Sequence, residues 1–153
     1  MIDKLPTNIK EFIRNNRETK ADGYIRFFSE REIEDFYNIV KESSIWNGGI
    51  PFAYTVFGDI IAWEDGYVVL YRMPEAESKI ILSGTSFFFE NIEDKEYQND
   101  YFDMELYRKL KEKYGDVTDD KCYIIEPIPE MGGARELKYM NIGDFKTYLS
   151  LLV

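Results

Sequence analysis

The stretch from Pro51 to Leu82 constrains the fold more than any other part of the chain. Within it, Phe52 to Phe57, Ile60 to Trp63, Tyr67 to Tyr71 and Lys79 to Leu82 are short runs rich in aromatic and β-branched residues. Gly58-Asp59, Asp65-Gly66 and the corner Met73-Pro74-Glu75 separate them. Side chains of these types suit a pleated, half-buried surface, and an Asp-Gly pair between two such runs marks a two-residue hairpin. Strands joined this tightly run antiparallel, because a parallel pair needs a long crossover. The segment predicts a four-stranded meander.

Helical spacing brackets that meander. Pro6 precedes Ile9, Phe12 and Ile13 at i, i+3, i+4, and Tyr24 to Phe28 reads as a strand. Ser29 and Glu32 form an S-x-x-E capping box before a helix with Ile33, Phe36, Tyr37 and Val40 on one face. Beyond the meander, Ser86 to Ile92 is helical. Phe102, Leu106 and Leu110 then repeat every four residues toward Arg108, Lys109, Lys111, Lys113 and a closing Gly115. Cys122 to Ile125 is one more strand, closed by Pro127, Pro129 and Gly132-Gly133. Asn141 is expected to cap a last helix with Ile142, Phe145, Tyr148, Leu149 and Leu152 on one face. The order is helix, strand, helix, four strands, two helices, a strand and a helix. That is α+β, an antiparallel meander flanked by helices. With 153 residues and no linker, repeat or low-complexity tract, residues 1–153 are expected to form a single domain.

Composition matters through what it excludes. The chain has no histidine, which removes Ser-His-Asp and Cys-His catalysis and His-ligated zinc. Its single cysteine, Cys122, permits no internal disulfide and no multi-Cys metal site. Lying in an apolar strand, it reads as a buried, inert thiol that fits a reducing cytosol. No cofactor is expected, since Gly48-Gly49 and Gly132-Gly133 match neither phosphate-binding glycine pattern and read as turn glycines. The opening residues are polar and no apolar run is long enough to span a bilayer, so a cytoplasmic protein without a membrane partner is expected.

Charge narrows the partners. The net charge is −10, and residues 21–100 alone hold 16 acidic against six basic groups. Such a surface repels a phosphate backbone, which argues against direct nucleic-acid binding, and it attracts a basic protein. It also serves plain solubility. The adjacent carboxylates Glu64-Asp65, Glu93-Asp94 and Asp119-Asp120, and Glu75 with Glu77, lie on turns and loops. There they read as solvated groups rather than as an acid–base pair with separated pKa values. From residues alone, the chain reads as a binding domain and not an enzyme.

Two motifs and the closing helix carry a resemblance. Pro51 to Trp63, with Phe57-Gly58-Asp59 at its centre, is similar to an aromatic-Thr-x-Phe-Gly-Asp strand pair. Cys122-Tyr123, Pro127 and then Gly132-Gly133 are similar to a Cys-Tyr-Gly-Phe-x-Pro segment followed by Leu-Gly-Gly, with Ile124 replacing the glycine and Ala134 following the pair. Tyr148 to Leu152 is similar to a terminal His-Leu-x-Ile-Leu helix. In order and spacing these resemble the C-terminal domain of type VI secretion toxin-immunity proteins, formerly a domain of unknown function and SUKH-like in fold. The resemblance is dense from residue 51 and faint before it.

The resemblance implies a non-enzymatic immunity protein that binds and neutralises a cognate bacterial toxin in the cytoplasm. Toxins of this class include nucleases, whose basic faces an acidic surface would meet. The partner-binding candidates are Glu64, Asp65, Glu75, Glu77, Glu93, Asp94 and Glu96; each reads equally well as part of a solvated face. Phe57, Gly58, Asp59, Cys122, Tyr123, Pro127, Gly132 and Gly133 are expected to be architectural. The alternative is an adaptor or small-ligand module of the same fold with no toxin partner, using an aromatic pocket around Trp46, Tyr54 or Trp63. A sheet edge at Lys79 to Leu82 is open to pairing with another chain, and the oligomeric state stays open.

Overall fold

A computed structural model describes residues 1–153 apart from Asp119, so the expected pair Asp119-Asp120 lies partly outside the described residues. Five strands form one antiparallel sheet in chain order: β1 (Ile25–Phe27), β2 (Ile50–Thr55), β3 (Ile60–Glu64), β4 (Tyr67–Arg72) and β5 (Glu77–Ser83). This is the meander read from the sequence, with Tyr24 to Phe28 supplying its first strand. The Asp65-Gly66 turn joins Glu64 to its partner Tyr67. Both turn residues take positive φ, 54° and 87°, the mirror-image turn whose twist matches that of paired strands. All six residues of β2 are buried, which is why this strand shows no polar alternation.

Helices α1 (Thr7–Asn15) and α2 (Glu30–Val40) flank β1 in sequence. The capping box forms as expected: the Glu32 N–H donates to Ser29 Oγ at 3.2 Å, and the Ser29 N–H donates to Glu32 Oε1 at 2.9 Å. Ile33, Phe36 and Val40 are buried on one face. Phe36 stacks on Phe28 at 4.6 Å and on Phe145 at 5.1 Å, and Tyr54 stacks on Phe145 at 4.5 Å. Four near-parallel rings therefore bind β2, α2 and the residue that follows β1 to the C-terminal helix.

The segment after the sheet departs from expectation. Three helices lie there instead of two: α3 (Phe88–Ile92), α4 (Lys95–Tyr101) and α5 (Met104–Tyr114). Asp94 caps α4, accepting from the Tyr97 N–H at 3.0 Å. The chain breaks at Asp103, whose N–H donates to Tyr24 Oη. The buried face of α5 is therefore Tyr107 and Leu110, with Leu106 only half-buried.

A second sheet pairs β6 (Lys121–Ile125) with β7 (Met140–Asp144), and the Tyr123 N–H donates to Val56 O at 2.7 Å beside the end of β2. The sequence reading placed Asn141 and Ile142 at the start of a helix; both lie in β7. Helix α6 (Phe145–Leu152) begins at Asp144, which accepts from the Thr147 N–H at 2.9 Å and from its hydroxyl at 2.7 Å. Two bonds to one carboxylate make a better cap than Asn141 offers, and Gly143 lets β7 close on β6. A Cβ at that glycine would lie 2.7 Å from Ile124 Cδ1.

Candidate partner-binding surface

The architectural motifs converge on one buried charge cluster. At the β2–β3 turn, Thr55 Oγ1 accepts from the Phe57 N–H at 3.1 Å and the Asp59 N–H at 3.3 Å, folding the carboxylate inward. Asp59 is 2% exposed. Arg135 meets it with a bidentate fork, Nη1 to Oδ2 at 2.7 Å and Nη2 to Oδ1 at 2.8 Å. The same guanidinium grips Glu75, through Nε at 2.9 Å and Nη2 at 2.7 Å, and reaches Asp103 at 3.3 Å. These five bonds match the five N–H donors of the group. Burial works against the cation, and Asp59 and Glu75 outweigh it, so its pKa stands well above an arginine's ordinary value. Arg72 adds a second cation, 3.7 Å from Glu75 and 3.6 Å from Asp103.

Local geometry delivers Arg135 to that position. After the cis bond Glu126–Pro127, Gly132 turns the chain at φ 105° and Gly133 passes so close to Pro127 O that a Cβ would lie 1.6 Å from it. Only the first of these glycines is a positive-φ turn; the second is a close approach. Gly58, at φ 77°, faces Tyr148 and Cys122 Sγ. Tyr123 donates its hydroxyl to Gly115 O at 2.6 Å. Burial, with Asp59 and Asp144 nearby, pushes the Cys122 thiol up to about 12, so it stays protonated at neutral pH. Among the described residues, no cluster of Cys, Asp and Glu has a geometry that would hold a metal.

The seven candidate acids do not form one patch of free charge. Glu75 is bound by Arg135, and Glu64 accepts from the Tyr71 hydroxyl. Glu93 accepts from the Ala21 N–H at 2.6 Å, and Asp94 caps α4. Asp65 at the hairpin tip, Glu77 at the start of β5 and Glu96 on α4 are exposed. The aromatics of the adaptor alternative are dispersed over different contacts: Trp46 packs on Tyr71 at 4.5 Å, while Tyr54 belongs to the four-ring stack. Tyr54 also lines a cavity of about 360 Å³ with Phe36 and Phe145, rimmed by Glu32, Asp35, Asp120, Asp144 and Lys146. Strand β5 is an edge of the sheet, as expected, with Ile80 exposed on it. Arg135 and Asp103 escaped the sequence reading. The available signal was Asp59 itself, a lone acid between two apolar runs that needs a cation when buried.

Residues 83–153 match the sequence model of the family described as T6SS immunity protein Tdi1, C-terminal. This is the type VI immunity family that the chain resembles by its motifs. The Cys-Tyr and Gly-Gly segments and the closing helix lie inside the match, and the Phe57-Gly58-Asp59 segment lies ahead of it. Among solved structures the chain is similar to the crystal structure of Atu4351 from Agrobacterium tumefaciens, with a TM-score of 0.71 and 15% identity over 97% of this chain and 75% of that one. At that identity the likeness is one of fold. No curated protein matches.

Proposed function

We propose that this chain is a non-catalytic immunity protein, one domain over residues 1–153, that binds a cognate type VI secretion toxin in the cytoplasm and neutralises it by direct contact. The family match over residues 83–153 carries the reading. Two physical features support it. The net charge of −10 favours a partner with a basic face, such as the nucleic-acid-binding side of a nuclease, and disfavours nucleic acid itself. All five N–H donors of the Arg135 guanidinium are engaged by Asp59, Glu75 and Asp103, so that group serves as architecture. Among the described residues no helix is long and apolar enough to cross a membrane.

The test is binding of the purified chain to the product of the neighbouring toxin-like reading frame at low and at high salt. Charge-steered association should slow as salt rises. The triple variant Asp65→Lys, Glu77→Lys, Glu96→Lys targets exposed acids that carry no structural bond. It should lower the association rate about tenfold while leaving the fold intact. Absence of binding at every salt concentration would overturn the reading.

A further inference from the structure

One corner of the molecule gathers exposed apolar side chains that the core does not use. Met131 is 73% exposed and Leu151 65%, among the most exposed large hydrophobic residues of the chain. Near them a groove of about 280 Å³ opens where the 3-10 turns Met73–Glu75 and Pro129–Met131 meet α6. Its apolar walls are Met73, Pro74, Ile128, Pro129, Leu151 and Leu152. The charged groups lining it are Glu75 and Glu130, with no cation among them. Behind Glu75, three carboxylates (Asp59, Glu75, Asp103) share two arginines (Arg72, Arg135), so the wall carries net negative charge.

The groove is preformed. A proline sits in each 3-10 turn, Arg135 fixes Glu75 with two bonds, and Gly132 and Gly133 hold the second turn against Pro127. Rigid walls reduce the ordering entropy that binding would otherwise consume. Its volume is below the roughly 300 Å³ at which pockets for drug-sized ligands begin, and it suits one or two side chains. Interface anchors have that form: an apolar residue in a desolvated pocket, ringed by contacts that exclude water.

We propose that this groove is the anchor site for the protein partner, taking an apolar side chain from a segment with basic residues on its flanks. This rests on the immunity reading above and names the place where that reading acts. The apolar walls receive the anchor, and the two acids that line the groove, Glu75 and Glu130, meet the flanking cations.

The experiment compares three proteins against the same toxin-frame product. They are the native chain, the double variant Met131→Arg with Leu151→Arg, and the distal variant Asp65→Lys with Glu96→Lys. Leu151 lines the groove and Met131 ends the 3-10 turn that forms one wall; both side chains are exposed, so thermal unfolding should match the native chain. The groove variant should weaken binding by roughly thirtyfold or more through faster dissociation, since it removes the anchor contacts and repels the basic flank. The distal variant should act on the association rate alone. Native-strength binding by the groove variant would overturn the anchor site while leaving the immunity reading standing. Failure of the native chain to bind would overturn both. Light scattering covers the remaining occupant: a native dimer that the groove substitutions convert to monomer would assign the groove to a second copy and overturn the proposal.

Discussion

Removing the Arg135 guanidinium would strand the Asp59 carboxylate at 2% exposure, with the Thr55 hydroxyl at 3.3 Å as its remaining side-chain donor among the described residues. Breaking one side of a buried pair costs about 3–5 kcal/mol, so Arg135→Met should lower the urea midpoint sharply. Pairing it with Asp59→Asn should recover part of the loss, because the orphaned charge is then gone. At Gly133, a methyl group has no room beside Pro127 O, and Gly133→Ala should cost about 3 kcal/mol or more. Gly48→Ala is the control: its φ of 79° carries strain of about 1–2 kcal/mol, but no atom stands within 4 Å. Cys122 and Tyr123 contribute to the alkaline limit, together with the phenols of Tyr24, Tyr71, Tyr97, Tyr107 and Tyr148, which burial also raises. Burial raises Cys122 and Tyr123 to about 12, above the ordinary 9.0 and 10.0, so the folded chain holds protons that the unfolded chain has released. Their contribution is complete below pH 9.0 and declines toward pH 12. The urea midpoint should therefore fall between pH 9 and 11, and a thiol reagent at pH 8 should label Cys122 only as fast as the protein unfolds.

Among the elements, caps distinguish what the sequence made legible from what it did not. Asp144→Ala should destabilise by about 1 kcal/mol through loss of the α6 cap, and Asn141→Ala should leave stability within about 0.5 kcal/mol, as chemical unfolding of the two variants would show. The capping box at Ser29 and the Asp65-Gly66 hairpin were readable because each is a local rule written in two adjacent or nearly adjacent residues. Strand β7 was not: it is five residues long, contains Gly143, and exists because Ile124 of a distant strand packs where a side chain would be. The break between α4 and α5 was hidden for a similar reason. The Phe102, Leu106, Leu110 spacing predicts α5 but gives no sign of α4, which buries none of its seven residues fully, or of the Asp103 bond to Tyr24 that separates the two. The cluster was illegible as a cluster because its members lie 76, 60 and 32 residues from Arg135. Glu75 illustrates the cost of reading charge by composition: counted as a free surface acid, it is half-buried and held by Arg135.

For the whole molecule, the excess of negative charge is the dominant long-range force. Self-repulsion among exposed carboxylates opposes compaction, so the melting temperature should rise from low to moderate salt as screening shortens its range to about 10 Å at 0.1 M. A fall in melting temperature over that range would show that the buried pairs, and not the surface, govern the electrostatics. The same salt should slow capture of a basic partner, so stability and association respond to salt in opposite directions.

The Arg135 fork also orders events in time. Synthesis delivers Asp59 well before Arg135, the cation that pairs with it, so a chain growing from the ribosome holds a complete meander with an acid it cannot yet bury. The β2–β3 turn should thus stay open until Arg135 emerges. A nascent chain halted short of Arg135 should remain open to protease at the β2–β3 turn, and one halted with that residue clear of the exit tunnel should resist. Burial of Asp59 becomes a signal that the C-terminal third has arrived.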